Sequence, residues 1–218
     1  GQIENRKNKI NLTEQRLTEG KITLKDFAAA HEYYGLHYVE DSWVFREWAP
    51  NAQKIYLIGN FSDWECYEEF GLCRINANGD WEIRLTKNKL QDGDLYRLKV
   101  FWEGGSGDRI PAYARRVVQD DKTKIFNAQV WLSKYKWKYP DYVNKHPFLK
   151  VYEAHVGMST EPEGIATYNE FREKILPRIV DAGYNTIQLM AVQEHPYYAS
   201  FGYHVANFFA PSSRFGTP

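Results

Sequence analysis

Apolar and polar residues alternate along the middle of the chain, which is the pattern of β-strands that bury one face. Asn78-Gly79 predicts a hairpin turn within this region, because both positions tolerate positive φ. Short strands, close turns and little helix indicate an all-β, immunoglobulin-like sandwich over residues 37–135. The predicted strands are residues 43–48, 54–59, 81–85 and 95–102.

A helical period precedes the sandwich, within an N-terminal helical segment at residues 1–36. Thr23 and Asp26 have the spacing of a capping box, in which an N-cap side chain and an acid three residues later bond each other's backbone amide. Gly35 is the predicted end of this helix. We expect His31 to pack on the apolar face rather than to bind a ligand. The residues predicted to share that face are Leu24, Phe27, Ala28 and His31.

The last third of the chain changes to a strand, helix, strand pattern. Residues 148–156 and 185–190 are mostly apolar strands, and Thr167 with Glu170 forms a second predicted capping box between them. At this spacing we expect the two strands to be parallel, with a right-handed crossover. Pro177 should kink the helix because it removes one backbone donor.

A single strand–helix–strand unit cannot stand alone, because a parallel sheet needs further strands and cover on both faces. A (β/α)₈ barrel typically uses about 250 residues, so residues 147–218 have room for about two of its eight units. We therefore expect residues 147–218 to begin a truncated (β/α)₈ barrel, joined to the sandwich by a linker at 136–146. A small appendix docked on the sandwich is the alternative. Exposed edges of a truncated barrel would favour oligomers.

Composition and charge exclude several classes of protein. The chain has 28 Lys and Arg residues against 28 Asp and Glu, so no overall field attracts nucleic acid or an anionic membrane. No run approaches the roughly 18 apolar residues of a membrane span, and the first residues lack the apolar stretch of a secretory signal. Cys66 and Cys73 are too few for a disulfide framework or a structural zinc site. We expect two free thiols in a reducing cytoplasm, and no metal or cofactor.

Aromatic residues make up 16% of the chain, and their flat apolar faces match the C–H faces of sugar rings. Protein cores use the same residues, so this content leaves sugar binding and packing both open. Trp64 follows the turn-rich residues 59–63, where an exposed indole would stack on glucan; a core or interdomain role is the alternative. Trp81 alternates with polar neighbours, which predicts a core position.

Three motifs in the sandwich resemble the family-48 carbohydrate-binding module, which precedes α-amylase-family enzymes acting on branched glucans. They are Phe-Arg-Glu-Trp-Ala-Pro-Asn-Ala at 45–52, Ile-Gly-Asn-Phe-Ser-Asp-Trp at 58–64 and Gly-Asp-Trp-Glu at 79–82. Debranching enzymes and glycan-sensing regulatory subunits share this block, so it is moderately specific.

Three later motifs look like the opening of the catalytic barrel in glycogen or starch branching enzymes, and are closest to the eukaryotic-type branch. They are Val-Tyr-Glu-Ala-His-Val-Gly at 151–157, Gly-Tyr-Asn-Thr-Ile-Gln-Leu-Met-Ala at 183–191 and Glu-His-Pro-Tyr-Tyr-Ala-Ser-Phe-Gly-Tyr at 194–203. This block is highly specific, and with the first it covers nearly the whole chain.

The resemblance implies a 1,4-α-glucan branching enzyme, a transferase that cleaves α-1,4 links and forms α-1,6 branches by a retaining double displacement. Retention requires a nucleophilic and an acid/base carboxylate roughly 5–5.5 Å apart. In the family these groups lie at strands well past the second, so no catalytic residue is carried over and we expect this chain itself to be inactive. The implied partner is an α-1,4-glucan such as glycogen, starch or amylose.

The resemblance also assigns part of a substrate site. Tyr203 matches the tyrosine that stacks on the sugar at the cleavage subsite, with packing in a loop as the alternative. Glu194 and His195 follow the second strand, at the catalytic end of a barrel. For these two, loop shaping or substrate contact and a purely structural role both remain open. His155 is expected to be a structural hydrogen-bonding residue. His204 replaces the glutamine common in the family, so no role is carried to it.

Two other functions compete with a branching enzyme. A debranching hydrolase shares the sandwich, but residues 194–203 speak against it. A self-sufficient glycan-binding protein would need the sandwich alone, so residues 147–218 count against it.

Overall fold

The alternating middle of the chain folds into two antiparallel sheets. The computed structural model describes residues 1–143 and 145–218. The strands are β1 (Gly35–Val39), β2 (Ser42–Trp48), β3 (Ala52–Gly59), β4 (Cys73–Arg74), β5 (Asp80–Thr86), β6 (Leu95–Trp102), β7 (Gly105–Arg109), β8 (Val117–Gln119) and β9 (Phe126–Gln129). One sheet has the order β1-β2-β5-β4, and the other has the order β3-β6-β9-β8 with β7 beside β6.

The core lies between these two sheets. Phe45 pairs with Ile83 in the first sheet, and Leu57 pairs with Leu98 in the second. All four side chains are buried in one apolar cluster, as period-two alternation requires. Trp81 is buried there too, and its indole N–H donates to the Ala49 carbonyl at 3.0 Å. The predicted sandwich and the core position of Trp81 are therefore confirmed.

The four predicted strands correspond to β2, β3, β5 and β6. The predicted turn connects β4 to β5, and Gly79 takes the positive φ (95°) that the turn needs. A Cβ at this position would lie 2.3 Å from the Pro50 Cα, so the approach of Pro50 also requires glycine.

The N-terminal segment differs from the prediction of one helix between Thr23 and Gly35. The capping box is present, but the helix breaks at Ala29, where ψ is 25°. Leu24 and Phe27 stay exposed, so no packing stabilises a longer helix. His31 is exposed while its ring stacks on that of Phe209, 6.1 Å away. The helices are α1 (Gln2–Thr18), which the apolar pattern did not predict, α2 (Leu24–Phe27) and α3 (Ala30–Tyr33).

The last part of the chain contains the predicted strand, helix, strand unit. β10 (Val151–Ala154) and β11 (Thr186–Leu189) pair in parallel, as predicted. The connection begins at the predicted Thr167–Glu170 capping box. It consists of α4 (Tyr168–Glu170), a π-helical turn (Phe171–Ile175) and α5 (Leu176–Asp181). The irregular turn ends at Ile175, two residues before Pro177, which supplies no amide to the helical ladder, so the predicted distortion is present.

A short antiparallel pair, β12 (Gln193–Glu194) and β13 (Asn207–Pro211), joins the parallel unit to the sandwich. Ala210 of β13 belongs to the sandwich core. The side-chain amide of Asn207 donates to the Pro111 carbonyl at 3.0 Å. A second apolar cluster, which includes Val156, Phe171 and Phe215, fills the parallel unit itself.

The predicted linker at 136–146 is described except at residue 144, which lies outside the described residues. Nearby, the exposed rings of Tyr135 and Trp137 meet edge to face at 5.3 Å. Within the described part of the chain, no helix has both the length and the apolar character to cross a membrane.

Candidate functional site

A hollow on the sandwich surface contains Trp64, the tryptophan singled out at the end of the second predicted strand. Its volume is about 340 Å³, at the small end of the range for ligand pockets. The indole is 39% exposed, so one part packs and another faces solvent. The lining residues are Asn60, Trp64, Leu95, Arg97, Asp120, Thr123, Ile125 and Asn127.

The turn that carries Trp64 is held in an unusual backbone conformation. Asp63 and Trp64 both have positive φ, at 49° and 61°. This is uncommon for a bulky aromatic residue and costs free energy, and such conformations cluster at functional sites. The Trp64 amide donates to the Gly59 carbonyl at 2.9 Å. Gly59 is itself required, because a Cβ there would lie 2.2 Å from the Leu95 carbonyl oxygen.

Polar groups of the hollow are fixed by hydrogen bonds to backbone. The Arg97 guanidinium donates to the Phe126 carbonyl through Nε at 3.1 Å and Nη2 at 2.6 Å. Across the hollow, Asp120 accepts from the Thr123 amide and hydroxyl, and these bonds, the amide first, lower the pKa of its carboxyl below the ordinary range. A cation and a carboxylate held by hydrogen bonds therefore line the hollow together with the indole and the buried residue Asn127.

This arrangement suits a sugar better than a flat apolar ligand. An indole face packs against ring C–H groups, while amide, guanidinium and carboxylate groups bond hydroxyls at the ring edge. Reasoning from sequence found Trp64 but missed Arg97, Asp120 and Asn127 as its neighbours. The outward-facing position of Arg97 on β6 was the available signal, but alternation does not say what a residue faces.

Tyr203 lies at a second place, beyond the carboxyl ends of β10 and β11. It is 67% exposed, and its hydroxyl contacts the Met190 sulfur at 3.7 Å. The backbone just before it turns sharply, with positive φ at Phe201 and Gly202. The ring is thus presented to solvent at the edge where barrel enzymes bind substrate.

Glu194 and His195 are both fully buried. The Glu194 carboxylate accepts from the His195 amide at 3.1 Å and the Ser213 amide at 2.7 Å, so it ties β12 to the chain after β13. His195 Nδ1 is 3.0 Å from the Gln193 carbonyl, and its buried Nε2 has no hydrogen-bond partner within the described part of the chain. This geometry favours loop shaping over direct contact with a substrate in solution.

The Glu194 charge also affects its surroundings. Burial, followed by the proximity of Glu194, raises the pKa of Tyr168 to about 12. On the sandwich side, burial lowers the pKa of Arg116, and Glu194 opposes that shift. Glu194 therefore acts electrostatically across the contact between the parallel unit and the sandwich.

His155 has the structural role expected of it. Its Nε2 lies 2.9 Å from the Phe201 carbonyl, a bond that requires the proton on Nε2. Cys66 and Cys73 are both free and exposed. Among the described residues, no group of three or more His, Cys, Asp or Glu side chains is placed to hold a metal ion.

A family profile, Carbohydrate-binding module 48 (Isoamylase N-terminal domain), matches residues 33–114, which include most of the sandwich and Trp64. The 1,4-alpha-glucan-branching enzyme of Dictyostelium discoideum is 40% identical over 226 aligned positions, covering 99% of this chain. Over nearly its whole length the chain is therefore similar to 1,4-alpha-glucan-branching enzymes. The 1,4-alpha-glucan-branching enzyme 2-2, chloroplastic/amyloplastic, of Arabidopsis thaliana is 41% identical over 89% of the chain.

The chain spans 33% of the length of the Dictyostelium relative and 25% of the Arabidopsis relative. The match extends through residues 147–218, which a glycan-binding protein with a sandwich alone would lack. The fold is shared with the pullulanase from Bacillus acidopullulyticus at a TM-score of 0.66 and 19% identity, covering 84% of this chain and 25% of that structure. At this identity the likeness concerns the fold, so the sequence relatives favour branching over debranching enzymes.

Proposed function

We propose that this chain is the glucan-binding front part of a 1,4-α-glucan-branching enzyme, and that the Trp64 hollow binds an α-1,4-glucan such as glycogen, starch or amylose. The observation that carries this proposal is the half-exposed indole, held at positive φ among fixed polar groups. The carbohydrate-binding module match over residues 33–114 supports it.

In the longer enzyme, we infer that residues 147–218 begin a (β/α)₈ catalytic barrel. The parallel pairing of β10 and β11 supports this, because parallel strands joined by a helix are the repeating unit of such barrels. Branching requires a nucleophilic and an acid/base carboxylate, which the family supplies from later strands. The chain by itself should form no α-1,6 links. We also propose that the protein is cytoplasmic. The exposed apolar residues of this unit should favour the formation of oligomers.

The second part of the proposal concerns Tyr203. Its exposed ring at the carboxyl edge of β10 and β11 is the platform on which the sugar at the cleavage subsite would stack. Glu194 and His195 contribute by shaping the loop rather than by touching sugar, because both are fully buried and Glu194 is engaged with backbone amides.

The test of the Trp64 site is binding of maltoheptaose to the purified chain, measured by isothermal titration calorimetry. Replacing Trp64 by Ala removes the stacking surface, worth on the order of 1–2 kcal/mol, and should weaken binding about 5- to 30-fold. Trp48→Ala is the matched control, because Trp48 is also exposed but is absent from the lining of the hollow.

Unchanged affinity in Trp64→Ala would contradict the proposed site. An equal loss in both variants would mean that the effect is not specific to the hollow. Circular dichroism and thermal unfolding of both variants establish that the sandwich remains folded.

A further inference from the structure

The turn that presents Tyr203 is held from the ends of both parallel strands. His155 directly follows β10, and Met190 and Ala191 directly follow β11. Since β10 and β11 are parallel, these residues lie at the same edge of the sheet. The turn before Tyr203 rests on this edge, and each strand end contributes contacts to it.

The contact from β10 is a hydrogen bond. His155 Nε2–H donates to the Phe201 carbonyl at 2.9 Å, across 46 positions of sequence. The imidazole is fixed edge-on against two rings, those of Phe201 at 6.5 Å and Phe215 at 5.8 Å between centroids. Among the residues that the structure describes, its buried Nδ1 has no hydrogen-bond partner, and the bond to the turn is the polar contact given for this side chain.

The contact from β11 is steric. Gly202 packs so closely on Ala191 that a Cβ would lie 2.5 Å from the Ala191 carbonyl oxygen. Between these contacts, Phe201 has φ at 53°, a left-handed conformation that costs an aromatic residue free energy unless its surroundings hold it. The His155 bond acts on the carbonyl of this strained residue, two positions before Tyr203.

Tyr203 itself is two-thirds exposed, so its direction depends on the backbone that carries it. Its amide donates to the Ser200 carbonyl at 3.0 Å, which makes it part of the same turn. A change in the Phe201 peptide would therefore reorient the ring.

We propose that His155 is a positioning residue for the glucan platform: its Nε2–H bond to the Phe201 carbonyl sets the direction of the Tyr203 ring. This inference rests on the proposed function, since it gives Tyr203 the role of sugar platform. His155 touches no substrate and acts through the turn.

The test uses the 218-residue chain labelled with 3-fluorotyrosine and observed by ¹⁹F NMR, with Tyr203→Phe to assign the Tyr203 resonance. Three substitutions at His155 separate the bond from the packing. In His155→Gln, the side-chain amide N–H takes the position of the imidazole Nε2–H. In His155→Asn, the amide N–H is one bond closer to the backbone and does not reach the Phe201 carbonyl. His155→Leu has no hydrogen-bond donor.

The expected result is that His155→Leu and His155→Asn shift or broaden the Tyr203 resonance in the free protein and weaken its response to maltoheptaose by about fivefold or more, because the ring is no longer preorganised. His155→Gln should restore both. The other fluorotyrosine resonances report whether the fold is intact, and the Asn variant carries the test if the Leu variant does not fold.

A Tyr203 resonance that stays unchanged in the Leu and Asn variants would overturn the positioning role. Equal disturbance in all three variants would also overturn it, because packing of the imidazole would then matter and the bond would not. If maltoheptaose leaves the wild-type Tyr203 resonance unmoved, the platform role fails, and the inference fails with it. The free-state spectra then show separately whether His155 holds the turn.

Discussion

Asn207 provides a sharp test of how the parallel unit is attached to the sandwich. Its side chain is buried and makes three hydrogen bonds: Nδ2–H donates to the Pro111 carbonyl at 3.0 Å, and Oδ1 accepts from the Phe209 and Ala210 amides, both at 3.1 Å. We predict that Asn207→Leu, which is similar in volume but has no polar atoms, destabilises this attachment.

The magnitude follows from the groups left behind. The substitution leaves the Pro111 carbonyl and the Ala210 amide without these bonds in a buried site, and each unpaired group costs about 1–3 kcal/mol. The added apolar surface of leucine offsets about 1–2 kcal/mol. With the middle of each range, the expected loss in the free energy of unfolding is about 2.5 kcal/mol.

Urea denaturation followed by tryptophan fluorescence measures this loss, and hydrogen exchange at the Ala210 amide locates it. Asn8→Leu, on the exposed surface of α1, is the control and should change stability by less than about 0.5 kcal/mol. A loss below about 1 kcal/mol in Asn207→Leu, with the Ala210 amide still protected, would refute the argument that this side chain bridges the two parts.

Two further predictions concern the sandwich core and the second capping box. Phe45→Ala should cost about 3–5 kcal/mol in urea denaturation, because the ring is fully buried, whereas Phe208→Ala, at an exposed ring, should cost far less. Hydrogen bonds from Thr167 and then from Lys174 lower the pKa of Glu170, so the stability it contributes is present above the ordinary glutamate pKa and is lost as pH falls through the lowered value. NMR titration of the Glu170 carboxyl should show that lowered pKa.

Each of these two predictions has a clear contrary result. Equal losses in the free energy of unfolding in Phe45→Ala and Phe208→Ala would show that burial of the Phe45 ring does not stabilise the core. Glu170→Gln keeps an acceptor for the Thr167 amide without a titrating proton, so it should abolish the acid dependence of this helix start. An unaltered acid dependence in that variant would assign the effect to another group.

Local patterns predicted elements well where a buried face supports them. The strands β2, β5 and β6 followed from alternation, β3 followed from its β-branched and aromatic residues, and the Thr167 capping box followed from spacing. The same signals failed in the N-terminal segment, where Thr23 begins a helix of a single turn because no core packs against Leu24 and Phe27. The segment at 1–36 was predicted to be helical, but no helix was located at the position of α1, because its apolar row, Ile3, Ile10 and Leu17, has only one residue in two turns.

The candidate site residues also differ in how much of their environment the sequence predicted, because local patterns do not report what packs over a residue. Trp64 and Tyr203 were proposed because each stands in a recognisable local motif, and both side chains are partly exposed. Glu194 and His195 stand in such a motif too, yet both side chains point into the protein. A motif identifies which residues stand together in sequence, but burial depends on what packs over them.

The strand and helix periods, the two capping boxes, the parallel unit and the branching-enzyme resemblance could be predicted from the sequence, because each depends on residues close together in the chain. The polar groups that line the hollow with Trp64 could not, because they come from distant segments that only the folded chain brings together. Arg97 comes from β6, Asp120 and Thr123 follow β8, and Asn127 belongs to β9. Strand order and register bring these residues to Trp64 from positions 33 to 63 further along the chain. The same long-range packing places His155 against the turn that carries Tyr203.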